Sequence, residues 1–337
     1  MKCVILDEPN SFRLDERDVP DPGPGEALVR MVRMGICGTD LHAFQGDQPF
    51  FSYPRIIGHE LAGEIAAVGE GVDGFATGDP VVVLPYLACK ECIACRRGRP
   101  NCCERIQVMG VHVDGGLQEY VPVPADHLIP APGLDWDRRA LVECLSIGAH
   151  AVRRADPEDQ ENVLVIGAGP IGLGVLQFAR QRGARTIALD LNSERLRFWT
   201  DQLGGGDVVG PDDDAPARIR ELCGGDMPTC VVDATGHVGS MCGALDFVAH
   251  GGRLVYVGIS KEKFGWNHPE FHMRETTLLA SRNATREDFV SVMDSLRDGV
   301  VQASCFVTHR TSIDDIVGRF ESYLDPATKA VKALIEF

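Results

Sequence analysis

Val163-Leu164-Val165-Ile166-Gly167-Ala168-Gly169-Pro170-Ile171-Gly172 is the stretch on which the fold turns. Its four aliphatic residues in a row suit a strand buried on both faces, and from Ile171 to Arg182 the apolar residues recur at helical spacing. Between strand and helix stands Gly-x-Gly-x-x-Gly. Gly167 permits the tight turn, Gly169 lets the backbone approach a pyrophosphate, and Gly172 lets helix and strand pack closely. Pro170 and Ile171 open the helix, whose free N–H groups and positive dipole end suit phosphates.

Downstream, Thr186-Ile187-Ala188-Leu189-Asp190 is the next strand, and Asp190 closes it 18 residues after Gly172. A carboxylate there accepts hydrogen bonds from the adenosine ribose and repels a 2′-phosphate, which selects NAD over NADP. Arg195 is placed along the adenine side. Further strands at Thr229–Asp233 and Arg253–Val257, alternating with helical stretches, give a doubly wound parallel sheet of Rossmann type.

Upstream the rhythm differs. Residues 1 to about 145 are short strands such as Ala27–Val32, Glu64–Val68 and Pro80–Leu84, punctuated by glycine and proline. That pattern predicts a mainly antiparallel, barrel-like β domain. The closing Val331–Phe337 is strand-like and is expected to return to it. The division expected is 1–146 with 296–337 for the β domain and 147–295 for the dinucleotide domain.

Cys89, Cys92, Cys95 and Cys103 fall within fifteen residues, in Cys-x2-Cys-x2-Cys-x7-Cys spacing. Thiolates held this closely can converge on one tetrahedral zinc, and Lys90, Arg96, Arg97 and Arg99 would offset its charge. A closed tetrathiolate site holds a loop and does no chemistry. Reaction chemistry needs an open site, and Cys37 and His59 in glycine-bordered turns, with Glu60 beside them, are the candidates. Taken singly, each would be an ordinary packed core residue; together with the cysteine lobe and the glycine turn they are not.

A formal net charge of −16 opposes a phosphate backbone or an anionic membrane as partner. No apolar run approaches the ~18 residues of a membrane span. Twelve cysteines, four of them in metal spacing, fit a reducing cytoplasm. Met1–Leu6 is read as a short strand, not as a secretion signal.

Gly58-His59-Glu60, the four-cysteine lobe, Gly78-Asp79 and the glycine turn, in that order, make the chain resemble the zinc-dependent medium-chain alcohol dehydrogenases. The narrower likeness is to the sorbitol, threonine and sugar-acid dehydrogenase branch, over essentially all 337 residues. The resemblance implies a GroES-like catalytic domain beside the Rossmann domain, and two zinc ions per subunit. Cys37, His59 and a carboxylate, Glu60 or Glu143, would bind the catalytic zinc, with water or substrate completing the shell. It implies oxidation of a secondary alcohol with hydride passing to C4 of the nicotinamide, and a proton path from Thr39 to His42. Asp40 would orient His59. A homodimer or homotetramer joined through the nucleotide domains is implied as well.

Cys144, directly after Glu143, departs from the family pattern, where proline is usual, and Cys102 beside Cys103 leaves two registers for the lobe; family spacing favours Cys103. Two further stretches, Gln48–Arg55 and Pro269–Thr277 running on to Ser281–Thr285, resemble bacterial L-galactonate 5-dehydrogenases, and more loosely D-mannonate and L-idonate oxidoreductases. Phe51 and Tyr53 would border the substrate, Arg282 would hold its carboxylate bidentately, and Asn283 would hold a hydroxyl. The expected substrate is therefore a sugar acid or polyol, with an L-galactonate-like hexonate oxidised at C5 first. Polyol, L-threonine or 2,3-butanediol dehydrogenation on the same frame is the alternative. A non-catalytic nucleotide-binding protein is a more remote one, since such a protein needs none of Cys37, Thr39, His59, Glu60 and Glu143.

Overall fold

Strand Asn162–Ile166 becomes an inner strand of a six-stranded parallel sheet. Across the sheet the order is Asp207–Val209, Arg185–Leu189, Asn162–Ile166, Cys230–Asp233, Arg253–Tyr256, Thr277–Ala280. Numbered along the chain this is 3-2-1-4-5-6, so the winding reverses between Asn162–Ile166 and Cys230–Asp233. A crevice opens at such a reversal, beyond the carboxyl ends of the strands. Gly167 lies there at φ +94°, and a Cβ on it would stand 2.9 Å from Thr235 Cγ2. Helix Pro170–Gln181 then buries Leu173, Val175, Leu176 and Phe178.

At the opposite end of the sheet Glu161 precedes the central strand and pairs with Arg253, at 2.9 Å to Nη1 and 2.6 Å to Nη2. Arg253 also donates to the carbonyls of Ala155 and Asp156, and Thr229 Oγ1 donates to Glu161. One carboxylate thus ties together the starts of three neighbouring strands.

The structure, a computed structural model, describes residues 1–337 and divides into two units. The sheet above belongs to Cys144–Ala284 with Val300–Gln302, and the other unit is Met1–Glu143 with Thr285–Gly299 and Ala303–Phe337. This second unit is built on a seven-stranded mixed sheet. Its order is Val307–Ser312, Lys332–Glu336, Glu26–Gly35, Glu60–Val68, Pro80–Val83, Leu128–Pro130, with Tyr120–Pro124 also paired to Glu26–Gly35. The C-terminal strand sits inside it, antiparallel to Glu26–Gly35 with Leu334 opposite Gly35. Its pairing with Val307–Ser312 is parallel, the exception to the expected antiparallel pattern.

Two differences from the sequence expectation bear on the site. Helix Arg286–Arg297, expected with the nucleotide domain, falls in the β unit. Arg286 donates to the carbonyls of Asp126 and Leu128, and Arg297 to that of Pro132. The helix expected at Ile147–Arg154 begins earlier, at Trp136, because Asp135 Oδ1 accepts the free N–H of Arg138 at 2.8 Å. Glu143 therefore stands on a helix, and the unit boundary falls within it.

Burial pushes the Glu161 carboxyl up, but Arg253, Thr229 and the N–H of Glu158 outweigh it and leave it below the usual glutamate range. A carboxyl lowered on folding stabilises the fold above its unfolded pKa and loses that contribution as pH falls through the folded value. Glu161→Gln is expected to cost roughly 1–3 kcal/mol near pH 7. In urea unfolding the gap between the two proteins should close as pH is lowered through the acid range; a gap constant with pH would show that the charge is not the cause.

Candidate active site

Helix Gly38–Gln45 starts at Cys37, and the two form a reciprocal cap: Cys37 Sγ accepts the N–H of Asp40, and Asp40 Oδ2 accepts that of Cys37 at 2.9 Å. The sulfur thus sits at the positive end of the helix dipole. His59 arrives on the turn at Gly58, whose φ of +101° suits glycine. Gly110 and Gly115 pack against that turn so closely that a Cβ on either would lie 2.5 Å from Gly58 N or 2.2 Å from Gly58 O. Glu60 opens the next strand, and Gly35 leaves space for its carboxylate, since a Cβ there would lie 1.9 Å from Glu60 Oε2. Sulfur, imidazole and carboxylate ligand atoms of Cys37, His59 and Glu60 consequently lie within 4.8 Å of one another.

The electrostatics of this cluster call for a cation. Asp40, His59, Glu60 and Glu143 are all buried. Burial opposes a charge on His59, yet the surrounding Asp40, Cys37 and Glu143 overcome it and draw its pKa well up. His59 Nδ1 and Asp40 Oδ1 face each other at 3.7 Å, and neither buried atom has a hydrogen-bond partner. Asp40 therefore stands at the correct nitrogen to orient the ring but beyond bonding distance. One sulfur, one nitrogen and one oxygen donor in an anionic pocket fit zinc.

Two residues here were not anticipated. Tyr86 is buried and donates its hydroxyl to Glu143 Oε1. Burial, with Glu60 adding to it, pushes the Glu143 carboxyl up to about 7, and Glu143 itself stands outside the three-residue ligand cluster. Lys332, only 3% exposed, places Nζ 2.6 and 2.9 Å from the two oxygens of Glu60. A signal for Lys332 was present: a lysine leads directly into the apolar run Ala333-Leu334-Ile335, where an ammonium that is buried needs a charged partner. For Tyr86 the sequence carried none.

The second cluster is Cys89, Cys92, Cys95 and Cys103, with Sγ separations of 4.0 Å for Cys89–Cys95 and 3.5 Å for Cys92–Cys95. Tetrahedral bonds of ~2.3 Å put neighbouring sulfurs about 3.8 Å apart, so four thiolates fit one ion. N–H groups of Cys89, Cys92 and Arg105 point at the sulfurs, as thiolates require. The Arg105 side chain and the N–H groups of Glu91 and Cys92 lower the Cys89 thiol to about 6, whereas burial and neighbouring sulfurs push Cys95 up to about 12. Arg105 is thus the cation at the sulfurs; Lys90 is paired with Asp126, and Arg96 donates to the Glu91 carbonyl. Cys102 is exposed and outside the cluster. Cys144 is buried and belongs to neither cluster.

In the nucleotide unit, Asp190 accepts the N–H groups of Ala168 and Asn192, each at 2.7 Å, which fixes the glycine turn. Space above Gly169 is open, its nearest neighbour being Arg195 Nη1 at 3.9 Å from a Cβ position, and Arg195 stands 3.7 Å from Asp190. Gly172 is pressed to 1.7 Å, Cβ position to Gly167 O. A cradle open at the second glycine and closed at the third fits a dinucleotide.

Of the remaining candidates, Thr39 and His42 lie three apart on helix Gly38–Gln45, Thr39 partly buried and His42 exposed. Tyr53 donates its hydroxyl to the Ala43 carbonyl and packs edge-on against Phe51. Arg282 is exposed, and Asn283, at φ +51°, has a buried Nδ2 without a partner, as does Ser281 Oγ.

A sheet wound for nucleotides and a Cys-His-Glu centre together define a metal-dependent dehydrogenase. Residues 23–133 match the alcohol dehydrogenase GroES-like domain and residues 170–298 the zinc-binding dehydrogenase domain. The chain belongs to the zinc-type alcohol dehydrogenase family. It is 41% identical to L-galactonate-5-dehydrogenase of Escherichia coli (strain K12), covering 100% of this chain and 99% of that one. Identity to 2-dehydro-3-deoxy-L-galactonate 5-dehydrogenase of Pseudoalteromonas atlantica (strain T6c) is 32%, covering 97% and 96%. Among solved structures, the RspB alcohol dehydrogenase of E. coli CFT073, complexed with NADH, superposes with a TM-score of 0.93 at 30% identity, covering 100% of this chain and 99% of that one.

Separable metal losses are expected. Cys37→Ser should remove one zinc and abolish turnover with the fold kept; Cys92→Ser should remove the other and lower the Tm, since a structural site contributes folding energy. Elemental analysis beside thermal melts reads both, and an active protein free of zinc would refute the assignment.

Proposed function

We propose that this enzyme oxidises a secondary alcohol of a sugar acid to a ketone with NAD as acceptor, an L-galactonate-like hexonate at C5 being the first substrate. The observation that carries this reading is the Cys37-His59-Glu60 centre, with His59 and Glu60 buried and Cys37 partly so, on a chain 41% identical, end to end, to an L-galactonate-5-dehydrogenase. When bound, zinc supplies the Lewis acidity that lowers the pKa of an alcohol, and NAD accepts the hydride.

The rest falls to this chain's own groups. Cys37, His59 and Glu60 hold the ion, while Glu143, kept in place by Tyr86, adds a second carboxylate beside it. The proton leaves a dry pocket through the Thr39 hydroxyl to His42, which shares a helix face with it and meets solvent. Gly169 admits the pyrophosphate, and Asp190 accepts from the ribose while repelling a 2′-phosphate. Arg282 and Asn283 are the proposed holders of the acid, Asn283 having a buried donor to give. Phe51 is assigned to the substrate border; Tyr53 would serve there by its ring, its hydroxyl being spent on Ala43. No helix is long and apolar enough to cross a membrane. A cytoplasmic homodimer or homotetramer is the assembly this reading carries.

Asp190→Ala is expected to weaken NAD and narrow the gap to NADP; an unaltered enzyme that prefers NADP would overturn the cofactor reading. A guanidinium holding a carboxylate should favour hexonates over the matching alditols by about tenfold or more in kcat/KM. Arg282→Leu should erase that preference while sparing alditol oxidation. Equal kcat/KM for sorbitol and every hexonate tested would sink the sugar-acid assignment and leave the zinc chemistry standing.

A further inference from the structure

The cysteine lobe is a basic island on an acidic chain. From Cys89 to Arg105 five cations, Lys90, Arg96, Arg97, Arg99 and Arg105, stand against two acids, while the whole chain carries a formal net charge of −16. Three of the five are engaged. Lys90 is paired with Asp126, Arg96 donates to the Glu91 carbonyl, and Arg105 serves Cys89 and, at 2.6 Å, the carboxylate of Glu91. Arg97 and Arg99 are exposed, and neither guanidinium has a hydrogen-bond or ion-pair partner.

Local structure brings these two to one place. The short helix Ile93–Arg96 ends at Arg97, and Gly98 follows at φ +71°. A Cβ on Gly98 would meet nothing within 4 Å, so glycine stands there for its backbone angle and not for space. The Gly98 N–H reaches the Cys95 carbonyl at 3.0 Å and the Arg99 N–H the Ala94 carbonyl at 2.9 Å, the paired bonds of a Schellman turn. The turn folds the chain at Arg99 back toward Ala94. Arg97, Arg99, Ile93 and Ala94 consequently line one cavity of about 220 Å³, in which Ile93 is 52% exposed.

Each part of this cavity has a chemical counterpart. A guanidinium offers paired N–H donors that match carboxylate or phosphate oxygens, and two guanidiniums answer two negative charges. Ile93 and Ala94 suit a short carbon skeleton, and the volume lies below the ~300 Å³ at which pockets for drug-sized ligands begin. We infer that Arg97 and Arg99 form a binding site for a compact organic dianion, a phosphate monoester or a dicarboxylate.

The site shares no residue with the Cys37-His59-Glu60 centre or the dinucleotide cradle, and it is independent of the substrate reading. It lies on the span that joins Cys95 to Cys103. An occupant bridging Arg97 and Arg99 across Gly98 stiffens the link between two of the four thiolates. Anion binding and zinc binding by the lobe therefore favour each other. The competing task for these arginines is to offset the thiolate charge, and it predicts a different outcome when no anion is present.

The test uses the full-length zinc-loaded protein at constant ionic strength set with sodium chloride. Calorimetric titration with glycerol 2-phosphate or with succinate is expected to show one saturable site per subunit, with a Kd of about 1 mM or tighter for at least one of them. Which of the two binds more strongly tells the phosphate class from the dicarboxylate class. Arg97→Gln and Arg99→Gln should each weaken binding by about tenfold or more, as loss of a charge-assisted fork requires. Ile93→Ser should weaken the organic dianions and leave inorganic phosphate as it was. Saturating anion should raise the affinity for the zinc that Cys92→Ser lacks, read by chelator competition, by about fivefold or more. The Arg97→Gln/Arg99→Gln pair should show no such rise.

No saturable heat with either dianion, or equal binding by the double variant, overturns the inference. So does a double variant whose zinc affinity falls in anion-free buffer, since both arginines would then serve the thiolates. Ile93→Ser that binds the organic dianions as tightly as before refutes the organic part of the assignment. Binding that leaves zinc affinity unchanged refutes the coupling.

Discussion

Burying charge is the constraint around which the β unit is organised. Asp40, His59, Glu60 and Glu143 are each at most 5% exposed, and a carboxylate taken out of water is tolerated only where something answers its charge. Two answers come from distant parts of the chain, an ammonium from residue 332 and a phenol from residue 86, and one is local, the backbone N–H of Cys37 to Asp40. That explains why the C-terminal strand lies inside the sheet next to Glu26–Gly35 and not at its edge. Only there can a lysine on the last strand reach the start of Glu60–Val68. The ion network of Arg33, Asp137, Arg310 and Glu336 then fastens the same strand from its exposed side.

Glycines supply the geometry that those charges need. A carboxylate, an ammonium and two backbones meet beside Gly35, and the chain closes on the Gly58 turn at two points, Gly110 and Gly115. Side chains at these positions would displace His59 or Glu60 by more than the tolerance of a metal site, since ligand bonds vary by only about 0.2 Å. Glycine is used here to bring chains together, whereas at Gly167 it is used for its positive φ.

What the sequence disclosed follows from which interactions are local. The glycine turn, Asp190 and the cysteine lobe were legible because strand, turn and helix, or four thiols, lie within a few residues of each other. Gly58-His59-Glu60 was legible as a segment. The partners of its charges were not, because Lys332 is 272 residues from Glu60 and Tyr86 is 57 from Glu143. Residue spacing carries no trace of such distances, although a lysine leading into the apolar run Ala333-Leu334-Ile335 hints at a partner. The early start of helix Trp136–Ala155 was missed because Asp135, its cap, reads equally well as a turn residue. Cation placement at the cysteine lobe was misread for a similar reason. Lys90 and Arg96 are nearer in sequence, but Arg105 is the one whose fork reaches sulfur.

Both units answer buried acids with neutral dipoles, and the β unit adds a buried ammonium. Asp190 is met by the N–H groups of Ala168 and Asn192, and Asp233 by the N–H and hydroxyl of Thr235 and the hydroxyl of Ser240. Neutral dipoles of this kind fix loops at the carboxyl ends of strands, and at Asp190 the guanidinium of Arg195 stands beyond them at 3.7 Å. In the β unit Glu60 is met by the ammonium of Lys332, Glu143 by the phenol of Tyr86 and Asp40 Oδ2 by the N–H of Cys37, while Asp40 Oδ1 and His59 Nδ1 are left facing one another. An incomplete answer, one ammonium among several anions, is what leaves this pocket a standing affinity for a divalent ion.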